Sequence, residues 1–169
     1  MRAVHVLFYR PQVDDHWLNH LVTFVSPPYS HCDIQFDDGV ASSIYQNEPV
    51  YMQSKSFSRL NYFRLSLTMT DEEYARVYAF CKRAHEDKVG FDLPGMMFSY
   101  MMPMYTYRPA NKTFCSRYVW EALQASGRKE FQSINSARMS PSRLHNELVA
   151  RNVSFLHVPE RRMLKIAYV

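Results

Sequence analysis

The sequence predicts an α+β fold in which an antiparallel sheet packs against helices. Short β-prone segments dominate the first part of the chain, and segments with helical apolar periodicity follow them. An Asp-Asp-Gly turn at residues 37–39 joins two of the β segments, as in a hairpin. The 169 residues are enough for one domain with a substantial core, and we predict a single domain over residues 1–169.

The predicted sheet comes mainly from the N-terminal part of the chain. Strands are predicted over residues 4–9, 29–36, 40–45, 50–52 and 62–67. After the first strand, Asp14 is expected to cap a helix that continues to about residue 25, where Pro27 and Pro28 end it. Two segments near the C-terminus, residues 153–158 and 163–168, are predicted to be further strands.

Later segments predict helices. Thr70 and Glu73 form a capping-box pattern, and the apolar stripe behind them includes Cys81, which we expect to be a buried, unreactive thiol. Residues 91–110 are rich in Met and aromatic residues, which indicates either a core helix with a loop or an adaptable apolar wall beside an active site. Two more helices are predicted over residues 114–125 and from Pro141 to about residue 151.

Composition and charge argue against several classes of function. The net charge is +4, but Lys and Arg are scattered, which favours an ordinary solvated surface over a nucleic-acid site. The sequence contains no glycine-rich phosphate loop, so nucleotide-dependent chemistry is not expected. His16 and His20 have a spacing compatible with metal binding, but no Cys or acidic cluster near them completes a site. We therefore predict no metal and no cofactor.

The cysteines and the apolar segments bear on the cellular compartment. Cys32, Cys81 and Cys115 are odd in number and lack metal-type spacing, which favours free thiols in a reducing environment. The N-terminal segment lacks the pattern of a signal peptide, and no apolar run approaches the ~20 residues that span a bilayer. The sequence thus predicts a cytoplasmic protein without a transmembrane segment.

The candidate nucleophile is Cys115, which stands at the start of a predicted amphipathic helix. The positive end of the helix dipole and the unpaired backbone N–H groups there both favour a thiolate. Thiolate is the reactive form of cysteine, so a nearby histidine would complete a nucleophile–base pair. The backbone N–H of Cys115 is a candidate oxyanion donor. Tyr29 and Tyr118 are candidates for the second donor only because they are close in sequence.

His31 is the best candidate for the base, because it begins a strand and can project toward a neighbouring helix N-terminus. Side chains alternate along a strand, so His31, Asp33 and Gln35 share one face. The other face carries apolar side chains and should point into the core. Taken alone, His31 could also be a structural or surface histidine, and Asp33 an exposed sheet residue.

Residues 30–39 (SHCDIQFDDG) and 114–123 (FCSRYVWEAL) resemble the permuted papain-like hydrolases, the circularly permuted NlpC-type group that includes YiiX-like and lecithin:retinol-acyltransferase-like proteins. In that group a strand beginning with Ser/Thr-His precedes a helix that opens with Cys-Ser. The resemblance covers about residues 4–127. It implies a circularly permuted papain-like fold with Cys115 as nucleophile and His31 as general base.

The resemblance further implies hydrolysis of an amide, isopeptide or thioester bond through an acyl-enzyme, with a peptide, protein or acyl-lipid as substrate. Lipid acyl transfer and a catalytically impaired binding module are the alternatives. Arg117 departs from the pattern, because many relatives have an acidic residue there. The residue that orients His31 is either Asp33, whose carboxylate would stabilise an imidazolium, or Ser43 on the return strand.

Overall fold

A five-stranded antiparallel sheet forms the centre of the structure, a computed structural model that describes residues 1–102 and 109–151. Its strands are β1 (Arg2–Tyr9), β2 (His31–Phe36), β3 (Val40–Ser43), β4 (Tyr51–Ser54) and β5 (Tyr62–Met69). They lie in the order β4-β3-β2-β1-β5. The strands predicted over residues 153–158 and 163–168 lie outside the described residues.

Six α-helices accompany the sheet in the described part of the chain. They are α1 (Trp17–Val25), α2 (Asp71–Glu86), α3 (Leu93–Met101), α4 (Cys115–Ala125), α5 (Lys129–Gln132) and α6 (Pro141–Ala150). Two short strands, β6 (Gly90–Phe91) and β7 (Lys112–Thr113), pair in parallel on either side of α3 in the chain. The predicted α+β class with an antiparallel sheet is confirmed.

One face of the sheet is covered by α2 and α4. Apolar side chains of β1, β2 and β5 pack with Val77 of α2 and Trp120 of α4 into one core. Thr70 and Glu73 form the predicted capping box at the start of α2. Cys81 is fully buried, as predicted, and burial raises its pKa to about 12, so this thiol is unreactive near neutral pH.

The opposite face of the sheet carries polar side chains, yet it is buried as well. All six residues of β2 are buried, and Asp33 has no exposed surface. The alternative that Asp33 is an exposed sheet residue is therefore wrong. The Gln35 amide donates to the Lys55 carbonyl at 2.8 Å and accepts from Arg64 at 2.7 Å. The segment that follows β4 and the side chains of β5 thus cover this face.

Helices α1 and α3 pack together beside the sheet. Leu18 and Val22 of α1 form a second apolar cluster with Met96 of α3 and with Phe114. The helix expected within residues 91–110 is therefore present, although residues 103–108 lie outside the described part of the chain. Over the described ranges, no helix has the length and apolar character needed to cross a membrane.

The start of α1 differs from the prediction. The helix begins at Trp17, and its N-cap is His16, whose Nδ1 accepts from the Leu18 N–H at 3.4 Å. The carboxylate of Asp15 accepts hydrogen bonds from the Tyr9 hydroxyl and from the Gln12 backbone N–H, both at 2.7 Å. These bonds hold the preceding segment in a turn, so the expectation that Asp14 caps the helix is wrong.

Candidate active site

Cys115 is the first residue of α4, as the sequence predicts. The N-cap residue Phe114 makes no side-chain capping bond, so the first N–H groups of the helix stay available for an anion. Two contacts fix this end of the helix: Ser116 donates to the Met139 carbonyl, and the Tyr118 hydroxyl hydrogen-bonds to Ser42. The thiol therefore stands at a rigid helix terminus.

Cys115 is 3% exposed, and it faces an open cleft with a volume of about 330 Å³. The walls are α1, the segment that follows β3, and the start of α3. The cleft is lined by His16, Leu18, Asn19, Val22, Ser30, His31, Ile44, Tyr45, Gln46, Asn47, Phe91, Met96 and Cys115. Both predicted catalytic groups thus share one cleft, and its described lining includes no Asp, Glu, Lys or Arg.

The ring of His31 joins the thiol to a polar network. Its Nε2 lies 3.4 Å from Ser43 Oγ and 3.4 Å from Asp33 Oδ2. Ser43 donates its own proton to the Cys32 carbonyl at 2.7 Å, so its oxygen can accept from Nε2–H. This arrangement favours the neutral tautomer that carries its proton on Nε2, which leaves Nδ1 without a proton.

The electrostatics of the pair favour a thiolate and an imidazolium. Burial alone would lower the pKa of His31, but the charges of Asp33 and Cys115 and hydrogen bonds to both raise it well above its ordinary value. A hydrogen bond from the Cys32 side chain lowers the pKa of Cys115 most; burial opposes this, and the charge of His31 lowers the pKa further. The pKa of the Cys115 thiol is thus well below that of an ordinary cysteine.

Cys32 and Cys115 respond oppositely to the same surroundings. Cys32 has no exposed surface, and burial raises its pKa well above the ordinary value of a thiol. Cys32 can therefore act as a hydrogen-bond donor to the Cys115 sulfur while staying protonated itself. The site contains two neighbouring thiols, but only Cys115 combines a lowered pKa with a place in the cleft wall.

Asp33 is held by residues that the sequence analysis did not identify. The Tyr51 hydroxyl donates to Asp33 Oδ1, and Lys55 Nζ lies 4.0 Å from the same oxygen. Lys55 also donates to the hydroxyls of Tyr45 at 2.7 Å and Tyr51 at 3.3 Å. The Tyr45 ring stacks on His31 with centroids 4.4 Å apart and an interplanar angle of 16°.

The register of the β3–β4 hairpin is the structural feature that brings Tyr51 to the site. Ser43 pairs with Tyr51, and pairing residues on neighbouring strands place their side chains on the same face. The prediction did not fix that register, because the turn between the strands spans residues 44–50 and has no two-residue turn motif. Tyr45 and Lys55 lie outside any strand, and no local pattern places them.

Several other candidate residues lie away from the thiol. The Tyr29 ring packs against Phe8 and His145, and the Tyr118 hydroxyl bonds to Ser42, so neither of the tyrosines considered as an oxyanion donor lines the cleft. Ser30 Oγ does belong to the cleft wall, and it is buried with no hydrogen-bond partner among the described residues. That hydroxyl is available to a bound ligand.

The remaining chemical candidates have structural partners. Arg117, which departs from the resembled pattern, pairs with Glu121 one helical turn later at 3.0 Å. His16 and His20 are not on one helix face, because His16 precedes the helix as its cap. Within residues 1–102 and 109–151, no group of three or more His, Cys, Asp or Glu side chains could hold a metal ion.

Comparison with known proteins adds no family assignment. No protein-family model matches the chain, no curated protein matches it, and no solved structure matches it. The function is therefore argued from the geometry of the cleft.

Proposed function

We propose that this protein is a cysteine hydrolase that cleaves an amide, isopeptide or thioester bond through an acyl-enzyme. The observation that supports it most is that Cys115 and His31 line the same open cleft. Cys115 is the first residue of α4, and no side chain caps that end of the helix. The chain order, in which the His-bearing strand precedes the Cys-bearing helix, agrees with a circularly permuted papain-like fold. We include that fold assignment in the proposal.

In the proposed reaction, the Cys115 thiolate attacks the carbonyl carbon of the substrate and a tetrahedral oxyanion forms. The backbone N–H of Cys115 donates to this oxyanion. The intermediate collapses as the His31 imidazolium gives its proton to the leaving amine or thiol. His31 then takes a proton from water, the hydroxide adds to the acyl-enzyme, and the carboxylic acid product leaves as the Cys115 sulfur is released.

The lining of the cleft limits what the substrate can be. Apart from the Cys115–His31 pair, the cleft is lined by no Asp, Glu, Lys or Arg over the described residues, so a charged substrate group away from that pair would lose solvation without gaining a partner. The segment that binds there is therefore uncharged. An amide or isopeptide bond with uncharged flanking groups is the first choice.

Thioester or lipid acyl cleavage is the second candidate, and one feature favours it. Leu18, Val22, Ile44, Phe91 and Met96 give the cleft a largely apolar wall, which suits an acyl chain. A cleft of about 330 Å³ accommodates a short chain rather than a long one. Comparison of acetyl, butyryl and palmitoyl thioesters with a neutral peptide amide would rank the two candidates.

The first test is the reactivity of the three thiols. Iodoacetamide near neutral pH should alkylate Cys115 much faster than Cys32 or Cys81, as read by peptide mass spectrometry, because only Cys115 is both ionised and open to the cleft. His31→Ala should slow that alkylation at least tenfold, whereas His20→Ala, an exposed histidine outside the cleft, should leave it unchanged. Equal slow reaction of all three thiols would refute the proposal.

The second test separates an enzyme from a binding module with the same fold. p-Nitrophenyl acetate should release a burst of p-nitrophenol and leave an acetyl group on Cys115, which intact-mass and peptide analysis would locate. Cys115→Ser should abolish the burst while the protein stays folded. Rapid alkylation without any acylation would favour the binding module.

A further inference from the structure

We propose that Lys55 is a positioning residue of this site, whose ammonium group, held beside Asp33 by the hydroxyls of Tyr45 and Tyr51, balances the charge next to His31. The inference rests on the proposed function. It extends that function beyond a Cys–His–Asp arrangement to a group of five side chains, Cys115, His31, Asp33, Tyr51 and Lys55.

The first support is the way the carboxylate is shared. One oxygen of Asp33, Oδ2, lies 3.4 Å from His31 Nε2. The other, Oδ1, accepts from the Tyr51 hydroxyl and lies 4.0 Å from Lys55 Nζ. Each oxygen of Asp33 thus faces a different positive group. The hydrogen bond from the Tyr51 hydroxyl holds the carboxylate in the rotation that gives both contacts.

The second support is the charge balance among side chains that are largely buried. Asp33 has no exposed surface and His31 is 7% exposed, so an uncompensated charge there would be costly. A Cys115 thiolate, a His31 imidazolium and an Asp33 carboxylate sum to one negative charge. Lys55 brings the sum to zero, and it is the only lysine or arginine within ion-pair distance of Asp33 in the described part of the chain.

The third support is the way the ammonium group itself is held. Lys55 Nζ lies 4.8 Å, 5.0 Å and 5.0 Å from the ring centroids of Tyr45, Tyr51 and Phe57. Aromatic faces attract a cation, and such contacts are stronger where water is excluded. Its two hydroxyl acceptors, on Tyr45 and Tyr51, restrict it further. A lysine held in this way differs from a solvated surface lysine.

The other titratable groups described around Asp33 stay neutral over the pH range in which His31 titrates. Burial raises the pKa of Tyr51 and of Tyr62 on β5 far above the ordinary value. Burial and a hydrogen bond to Asp15 raise the pKa of Tyr9 on β1 to about 12. The pKa of Cys32, which precedes Asp33 on β2, is raised as well.

Arg64, the next cation along this face, donates to Gln35 instead. The fixed charge next to Asp33 is therefore that of Lys55.

The test is the titration of His31, followed by NMR in the full-length protein with isotope-labelled histidine. Lys55→Met should raise the midpoint of His31 by about one pH unit, because the ammonium group beside Asp33 Oδ1 no longer opposes the imidazolium beside Oδ2. Lys55→Gln serves as a second uncharged variant should the first fail to fold. Lys82→Met is the matched control, since Lys82 is exposed on α2 and pairs with Glu86; it should leave the midpoint unchanged.

Tyr51→Phe separates charge from orientation. It removes the hydroxyl and no charge, so the midpoint of His31 should move by only a few tenths of a pH unit. A midpoint that is the same in Lys55→Met, Lys55→Gln and the unmodified protein would overturn the inference, as would a larger shift in Tyr51→Phe than in either lysine variant. Because failure of Cys115 alkylation refutes the hydrolase independently of these midpoints, the two proposals can fail separately.

Discussion

Replacement of Asp33 by Asn tests whether the buried carboxylate is what keeps His31 charged. The substitution conserves shape and removes one negative charge 3.4 Å from His31 Nε2. At an effective dielectric constant of about 20, unit charges at that distance attract by about 5 kcal/mol. Lys55 and Tyr51 already engage the other carboxylate oxygen, so part of this attraction is offset. We therefore expect the midpoint of His31 to fall by about one to three pH units.

The direction of this change is opposite to that expected for Lys55→Met, which makes the pair of variants informative. The same NMR titration of labelled histidine measures both, and Asp71→Asn provides the control, because Asp71 is 79% exposed at the start of α2. In Asp33→Asn, iodoacetamide should still alkylate Cys115 selectively at a pH below the new midpoint of His31. Above that midpoint the imidazolium no longer stabilises the Cys115 thiolate, so alkylation should be less selective. A midpoint that rises or stays constant in Asp33→Asn would refute the reasoning.

Three further predictions concern the cleft and the framework that supports it. We expect the unpartnered Ser30 hydroxyl of the cleft wall to be the second donor to the oxyanion, so Ser30→Ala should slow acylation by p-nitrophenyl acetate about tenfold or more. Alkylation by iodoacetamide forms no oxyanion and should be unchanged; equal slowing of both reactions would contradict a role as oxyanion donor. Arg128→Met should lower the free energy of unfolding in urea by about 1–2 kcal/mol at pH 7, because Arg128 bonds to both oxygens of Glu73 at 2.8 Å and 3.0 Å. The bond to Arg128 lowers the pKa of Glu73, so the part of this difference that comes from the ion pair should be complete above the unfolded-state pKa of a glutamate and be lost as the pH falls through the lower folded-state pKa; the bond from Arg128 to the Thr68 carbonyl does not titrate, so a smaller difference should remain at pH 2, and a difference that does not shrink at all would contradict the reasoning. Gly95→Ala should lower the thermal midpoint, because an added Cβ would lie 1.9 Å from an oxygen of Asp92, which caps α3; unchanged stability would show that the cap can rearrange without cost.

The sequence alone predicts the secondary structure around the candidate residues whose positions depend on local structure. Cys115 is a candidate because a helix start and a thiol coincide, and His31 because it begins a strand and can project toward a neighbouring helix N-terminus. The structure brings both into one cleft. Alternation along β2 correctly grouped His31 with Asp33, but it could not show that both faces of the strand are buried. Burial of the polar face depends on segments distant in the chain, and periodicity carries no information about them.

Residues whose positions depend on pairing between strands were not predictable in the same way. The choice between Asp33 and Ser43 as the partner of His31 stayed open, and the structure shows why, since both lie 3.4 Å from the same ring nitrogen. Tyr51 reaches the site through its pairing with Ser43 across the β3–β4 hairpin. A shift of one residue in that register would turn Tyr51 to the other face. No local feature of the sequence excludes that shift.

The position of His31 at the first residue of β2 has a physical reason that links the fold to the proposed chemistry. Cys32 faces the helix-covered side of the sheet and contacts Cys115, whereas Asp33 faces the polar side. A sheet normally separates such groups. At the end of the strand, where the cleft opens, a ring can contact both the thiol and the carboxylate; one pleat further along, at Asp33, both faces are sealed. The site therefore requires histidine at the beginning of the strand, and a histidine moved to position 33 would have no path to the sulfur.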